Sequence, residues 1–591
     1  MTNNHPNLNN STQKVLLLRP PQLFYYSTWP VGPRLSVPTG LLAIGSYLEM
    51  MGIKVEIYDS FIKSKRDKAK KENKEVLKSS NFINRWIKQF ESTSSNSFKL
   101  SEWVSWINRP STDMSKNTHH FGSDWKTLEK DICDSKADII GITNLFRENT
   151  EETIKTIKIA RKALPNSVIV VGGPNATAMP EYILERAPEL DILGLGDGEK
   201  TMMAIVKWNQ GKGSLKDIKG IIYREDNKLI HTPAREWVTQ LDELGNLNYN
   251  LIQLENYFQY ERSGIMARNK FEYNNAEKSV SLITSRGCPY KCSFCSIHIH
   301  AGRKFRRYSV HHTLNHLEDL VNNYGVKHIH FEDDNLTLDK DRFMELMNGI
   351  LKRNLKFTWD TPNGVFANNI DKDMLNLMKK TGCIYLIIGV ESGDQWVLDN
   401  IIYKQPLTLE HVKRVFKLAK EIKLDIRAFY IIGFPRETLE NIQSTLKYAI
   451  NALRKYDIIP QLAIARADPG TDMYNEAKRD GKLFSTNIMS SNEGSHMDYF
   501  IRNMITNEHF TPELLEKLSI KFHRSTIFII GYKTILYHLK NPKIAYANIK
   551  FLFRIALIEK IGIYNSIIRL FFSRLFFPHA MKREYIYDPK L

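Results

Sequence analysis

The sequence predicts an α/β protein with an open parallel-sheet domain, then a partial (β/α)6 barrel of the TIM type, then a helical C-terminal region. Three observations predict it. Short β-branched runs alternate with amphipathic helical stretches over residues 14–206, and again over residues 279–490, which implies two successive parallel sheets. A connector, residues 207–278, separates them and carries hairpin-like text. Beyond about residue 490 strand alternation stops while apolar residues keep helical spacing. A chain of 591 residues also exceeds what one hydrophobic core organises.

Residues 1–13 are polar and Asn-rich, and are expected to be disordered and to carry no secretory signal. Residues 15–18 read as the first strand, 38–51 as a helix bearing Leu41, Leu42, Ile44, Leu48 and Met51, and 55–58 as the second strand. From about 61 to 130 Lys, Ser, Asn and Trp dominate, so an insertion is expected there, either helical or loop-like. The rhythm resumes with strands at 139–142, 168–171 and 191–193, with helices at about 150–163 and from Pro180. Residues 221–223 and 229–230 flank a polar turn as a hairpin. Six further strands are expected at 281–284, 329–331, 357–359, 385–388, 426–432 and 463–465, enough for a partial barrel.

Lys plus Arg number 83 against 65 Asp plus Glu, a net charge of +18. Part of the surplus lies between Lys63 and Lys78, and part between Lys521 and Arg574, where Glu559 is the single acid. The basic residues form no recognisable nucleic-acid reading module, so no nucleic-acid partner is expected. No uninterrupted apolar run reaches the about 18 residues that would cross a bilayer.

Five cysteines in so long a chain make no disulfide framework, and three of them fall within eight residues. This crowding points to metal binding in a reducing compartment, and the cytoplasm fits best. Cys288, Cys292 and Cys295 stand four and three residues apart immediately after a strand, so one compact loop can converge them. Soft thiolates suit iron–sulfur clusters or zinc, both of which usually take four protein ligands. Cys133 and Cys383 read as ordinary helix and core residues, which leaves a three-Cys, one-His zinc site through His298 or His300 as the bland alternative.

This loop, with Phe294 before the last cysteine, resembles that of the radical S-adenosylmethionine (SAM) superfamily. The resemblance implies that Cys288, Cys292 and Cys295 hold a 4Fe-4S cluster whose fourth iron is chelated by SAM, which is cleaved to methionine and a 5′-deoxyadenosyl radical. Phe294, Asn335, Glu391, Ser392, Arg427, Gly433 and Pro435 match positions expected to contact SAM. They lie in text resembling the family's strand ends: Glu332 to Asn335, Gly389 to Gly393, and Ile432 to Thr438. Barrel active sites are built at such C-terminal strand ends.

The N-terminal domain offers a glycine-rich rim of the Rossmann-like kind, but no GxGxxG follows its first strand. The order of Gly172, Gly173, Pro174, Asn175 and Thr177, then Gly196, Gly198 and Glu199, upstream of the barrel, resembles cobalamin-dependent radical SAM enzymes of the class B methyltransferase type. These residues, with Thr39, Gly40 and Leu41 at a helix start, are the expected cobalamin contacts. The DxHxxG text that supplies a cobalt-ligating histidine in other cobalamin proteins is absent. Asn144, Leu145, Phe146, Arg147, Glu148 and Asn149 stand in its place, so no histidine ligand is expected from this loop.

The resemblance implies methylation of an unactivated carbon of an unidentified small-molecule or lipid-like substrate, with electrons from a donor such as flavodoxin or ferredoxin. A non-methylating reaction such as oxidative cyclisation is the alternative, and a non-catalytic cofactor-binding sensor is a second. The C-terminal apolar residues from Ile549 to Phe572, interspersed with Lys550, Arg554, Lys560, Arg569 and Arg574, read either as a cap on the barrel or as a basic amphipathic surface. The second reading would place the protein peripherally on the inner face of the membrane.

Overall fold

Strand β1 (Lys14–Arg19) is the centre from which the first sheet grows, and its apolar residues Val15 to Leu18 are buried on both faces as a parallel strand requires. In this computed structural model, residues 13–25, 36–62, 118–226, 228–263, 278–483 and 504–542 are described. The N-terminal residues 1–12, most of the expected insertion and the apolar–basic segment 543–591 lie outside them.

β1 pairs in parallel with β2 (Lys54–Asp59) on one side and β3 (Ile139–Thr143) on the other. β4 (Val168–Gly172) and β5 (Ile192–Gly194) continue the parallel order. β6 (Ile221–Glu225) and β7 (Lys228–His231) then join antiparallel, giving the order β2-β1-β3-β4-β5-β6-β7. The hairpin expected in the connector therefore extends the first sheet past residue 206. The physical reason is that Ile221, Ile222 and Tyr223 are buried against the sheet's core, which local patterning does not reveal.

The second sheet holds six parallel strands in sequence order: β8 (Ser279–Leu282), β9 (His328–Phe331), β10 (Thr358–Asp360), β11 (Cys383–Glu391), β12 (Asp425–Ile432) and β13 (Ile459–Ile464). β8 and β13 do not pair with each other, so the barrel is open. Its helices start where the sequence offers a capping side chain. Ser309, Asp339, Asp371, Thr408 and Thr438 each accept a backbone N–H of the first turn. The helix Leu409–Ile422 buries Val412, Val415, Phe416 and Ala419, one face at helical spacing.

The outward faces of the strands fill the main core, where Phe331 and Trp359 meet edge to face at 5.4 Å. The inward faces of β8, β9 and β10 are polar, whereas Tyr385, Ile387 and Phe429 form a small apolar cluster on β11 and β12. His330 pairs in register with Ser281 and Asp360, and its Nδ1 lies 2.7 Å from Asp360 Oδ1. The C-terminal region begins as the helix Pro512–Lys540, packed on the helix Leu439–Tyr456 and on β13.

Candidate functional site

The cysteine loop follows β8 and is held by backbone bonds on every side. Cys288 N donates to Gly302 O at 3.3 Å, Ser293 N to Ile402 O at 2.9 Å, and Met473 N to Ser293 O at 2.9 Å. Asp334 Oδ2 accepts Gly287 N at 2.7 Å, and Asp333 accepts from Thr284 N and its hydroxyl. The acids at the end of β9 thus brace the loop that presents the thiols. Gly287 has φ +84 and a Cβ there would sit 2.5 Å from Lys304 O, so no other residue fits before Cys288.

Burial pushes the Cys288 thiol up to about 11 and the Cys295 thiol up to about 12. Burial thus disfavours the thiolates, a cost that a bound cationic metal centre would offset. The remaining cysteines cannot complete the set. Cys383 is buried at the opposite, N-terminal end of β11, and Cys133 is exposed on the helix Trp125–Ser135 of the first domain. His298 Nδ1 lies 2.9 Å from Cys295 O within its own turn. Three thiolates with one open metal position fit these residues.

Beneath the loop, Lys404 Nζ lies 2.6 Å from Glu391 Oε1, both buried. Desolvation alone would lower the Lys404 pKa, but Glu391 and the nearby cysteines outweigh it and raise it. Glu391 has φ +68 at the end of β11, where the strand register shifts. Ser392 Oγ is enclosed, 2.9 Å from Thr445 Oγ1. Phe294 packs near Phe434 with ring centroids 6.0 Å apart, and Arg427 lies 4.2 Å over the Tyr385 ring.

Asn335 is buried with Nδ2 lacking a hydrogen bond among the described residues. Gly433, at φ +94, donates its N–H to Glu437 Oε2 at 2.7 Å, while the Pro435 carbonyl accepts from Lys482 at 3.0 Å. Burial pushes the Glu437 carboxyl up to about 7 against these backbone donors. Asn335, Glu391, Ser392, Gly433 and Pro435 thus gather around the C-terminal ends of β9, β11 and β12, beside Phe294 of the cysteine loop, whereas Arg427 lies in the N-terminal half of β12 against Tyr385.

A cavity of about 1200 Å³ lies between the two sheets. Its first-domain wall is the expected rim: Thr39, Gly40, Leu41, Gly172, Gly173, Pro174, Gly196, Gly198 and Glu199 all line it. Asn175 and Thr177 do not. Asn175 Nδ2 donates to Asn144 Oδ1 and to Thr150 Oγ1, and Thr177 Oγ1 accepts Gly196 N at 3.2 Å, so both shape the rim from behind. Gly173 has φ +115 and a Cβ there would lie 2.7 Å from Asn144 O, while a Cβ on Gly40 would meet nothing within 4 Å and would project into open space. A volume above the usual small-ligand range, walled by close backbone, fits a large macrocycle such as a corrin. The residues matched to SAM positions do not line this space.

The two domains are joined at this cavity by charges that sequence patterning did not single out. Arg286, two residues before Cys288, donates to Glu199 Oε1 at 2.6 Å and to Asp197 Oδ1 at 3.2 Å. Arg306 also pairs with Asp197 and donates to Val238 O at 3.1 Å. Glu199, expected as a cobalamin contact, therefore also binds the barrel. Leu145 and Phe146, 45% and 57% exposed, stand on the cavity wall in the loop that lacks a histidine. His330 lines the floor, and its partners Asp360 and His328 form a buried hydrogen-bonded cluster behind it.

Two family models match the chain: the radical SAM superfamily over residues 282–449 and the B12 binding domain over residues 112–206. An uncharacterised methyltransferase of Pyrococcus horikoshii is 30% identical over 389 residues, covering 66% of this chain and 78% of that protein. The chain belongs to the radical SAM superfamily and carries a B12 binding domain. Cytidylyl-2-hydroxyethylphosphonate methyltransferase of Streptomyces wedmorensis is 26% identical over 461 residues, 74% of this chain and 77% of that protein. The cobalamin-dependent SAM radical enzyme OxsB, solved with aqua-cobalamin and SAM bound, superposes with a TM-score of 0.61 at 18% identity, over 98% of this chain and 76% of OxsB. That likeness shows the fold: a cobalamin-type α/β domain ahead of a radical SAM barrel. It is an enzyme fold with a 4Fe-4S cluster, SAM and cobalamin as its cofactors.

Proposed function

We propose that this protein methylates an unactivated carbon of a small-molecule or lipid-like substrate. The observation that carries the reading is the cavity between a glycine-walled corrin rim and a barrel whose cysteine loop is built for a three-thiolate cluster. When bound, the cluster with SAM supplies a hydrogen-abstracting radical, and cobalamin supplies a methyl group drawn from a second SAM.

The chain's own residues bind, orient and exclude water. Cys288, Cys292 and Cys295 anchor the cluster, and Asp333 and Asp334 hold their loop. Glu391, paired with Lys404, with Phe294, Asn335, Ser392, Gly433 and Pro435, frames SAM, and Arg427 stands deeper in the barrel behind them. Thr39 to Leu41, Gly172 to Pro174, Gly196, Gly198 and Glu199 frame the corrin, with Asn175 and Thr177 supporting. The Arg286–Glu199 and Arg306–Asp197 pairs fix the distance between the two cofactor rims. Electrons come from a donor of the flavodoxin or ferredoxin type, and the C-terminal region makes peripheral contact with a membrane.

The test is anaerobic turnover of reconstituted protein with candidate substrates. Methionine, 5′-deoxyadenosine and S-adenosylhomocysteine should appear together with a product heavier by one methylene. Turnover that yields 5′-deoxyadenosine without S-adenosylhomocysteine would replace methylation with a rearrangement such as cyclisation.

A further inference from the structure

The helix Pro512–Lys540 is fixed to the barrel by one face. Leu515, Phe522, Thr526, Ile529 and Ile530 are buried, and Lys533 Nζ donates to the Leu453 and Arg454 carbonyls and to Asp457 Oδ1 at 2.6 Å. The far face is not the polar one a solvated helix normally turns to water. Phe528, Tyr532, Ile535 and Leu539 are 76%, 57%, 60% and 72% exposed. Their spacings of four, three and four residues place them in one narrow line along the helix. Toward the N-terminus the same line continues with Arg524, Lys521 and Lys517, all exposed, and no acid follows Glu516 on this helix.

We infer that this face docks on an anionic lipid bilayer, lying in its interface with the apolar line inserted and the three cations against the headgroups. A row of four large exposed apolar side chains marks an interaction face rather than scattered surface residues. The occupant is chosen by charge. A second copy of this helix would set Lys517, Lys521 and Arg524 against like charges if packed parallel, and against the apolar Leu539, Ile535 and Tyr532 if packed antiparallel, stranding the charges either way. The chain's own residues 543–591 carry nine Lys or Arg against Glu559, Glu584 and Asp588, so they too match the sign of the face. An anionic bilayer offers an apolar boundary and opposite charge together, and it attracts the following basic segment as well. No helix among the described residues is long and apolar enough to cross a membrane, so the contact is interfacial. This deepens the membrane contact proposed above and does not rest on methyl transfer.

The test uses full-length, cluster-loaded protein sedimented with vesicles of phosphatidylcholine alone or of equal parts phosphatidylcholine and phosphatidylglycerol. Wild type should co-sediment with the anionic vesicles, weakly with the neutral ones, and release as salt rises. A Phe528→Ser/Ile535→Ser/Leu539→Ser variant and a Lys517→Glu/Lys521→Glu/Arg524→Glu variant should each lose at least about tenfold in apparent affinity. Both alter exposed positions, and each should keep the wild-type Tm and reductive SAM cleavage. Unchanged vesicle binding in either variant overturns the assignment. So does a dimer that the serine variant abolishes in protein that ignores vesicles, or protease protection of residues 543–591 that the serine variant removes without changing vesicle binding. Absence of S-adenosylhomocysteine on turnover would sink methyl transfer and leave this surface standing.

Discussion

Arg286 Nη2 lies 2.6 Å from Glu199 Oε1, so the residue two positions before Cys288 is bonded to the helix start beside Gly198 on the rim of the cavity. Burial alone would raise the Glu199 pKa, but the Arg286 charge and hydrogen bond outweigh it and hold the carboxyl below its ordinary value. The same pair raises Arg286 well above its own ordinary value. The domains therefore meet through a paired, desolvated contact that ties the cysteine loop to the cavity rim.

Breaking this pair should be costly because it strands a buried charge. Arg286→Met is expected to destabilise the protein by about 3–5 kcal/mol and Arg286→Met/Glu199→Gln by clearly less. Because the folded Glu199 pKa is depressed, its contribution is present above the unfolded value and is lost as pH falls through the folded value. Denaturant titrations of wild type and Glu199→Gln at falling pH should converge. Parallel pH profiles would show that the pair contributes nothing.

Cys288→Ala, Cys292→Ala and Cys295→Ala should each abolish cluster absorbance and reduce 5′-deoxyadenosine formation to background, while Cys383→Ala and Cys133→Ala should leave iron content unchanged. Anaerobic iron and sulfide analysis checks both sets. Zinc bound stoichiometrically by the wild type under these conditions would refute the cluster assignment.

Gly173→Ala places a methyl group 2.7 Å from Asn144 O at φ +115, a strain of about 1–3 kcal/mol before any contact with the corrin. Cobalamin retention after gel filtration should fall sharply, with cluster content preserved.

Leu145 and Phe146 line the cavity, in the loop whose text carries no histidine. The paramagnetic resonance spectrum of the cob(II)alamin-loaded protein should show no protein nitrogen coupling. Phe146→Ala should leave that spectrum unchanged and weaken cobalamin binding roughly tenfold through lost apolar contact. A nitrogen-split spectrum in the wild type would contradict the site.

Glu437, raised by burial from 4.5 to about 7, makes stability pH-dependent in the opposite sense to Glu199. Below pH 4.5 both states hold the proton. Between 4.5 and about 7 the unfolded chain ionises first, so stability falls with rising pH, by an amount of order 3 kcal/mol when complete. Glu437→Gln, whose amide oxygen can still accept the Gly433 and Phe434 N–H groups, should raise Tm above pH 7 and not in acid. Equal Tm shifts across the range would refute the assignment.

The sequence by itself determined where the strands fall and where the cysteine loop stands, because each depends on neighbours in the chain. The run Val15 to Leu18 is apolar at successive positions and so on both faces, as a strand inside a parallel sheet requires, and Thr438 caps its helix through Asn441, three residues away. The glycine rim was legible for the same reason, since Gly173 must take a positive φ in its own turn.

Only the tertiary structure decided what depends on residues distant in the chain. Lys404 stands in no motif and acquires its role by being buried against Glu391, and Arg286 acquires its role from an acid 87 residues earlier. The strand Ile221–Glu225 reads as part of a connector, yet it pairs with β5 in the first sheet. Burial, and the charge pairing it compels, is a property of the packed molecule, and no local stretch of sequence carries it.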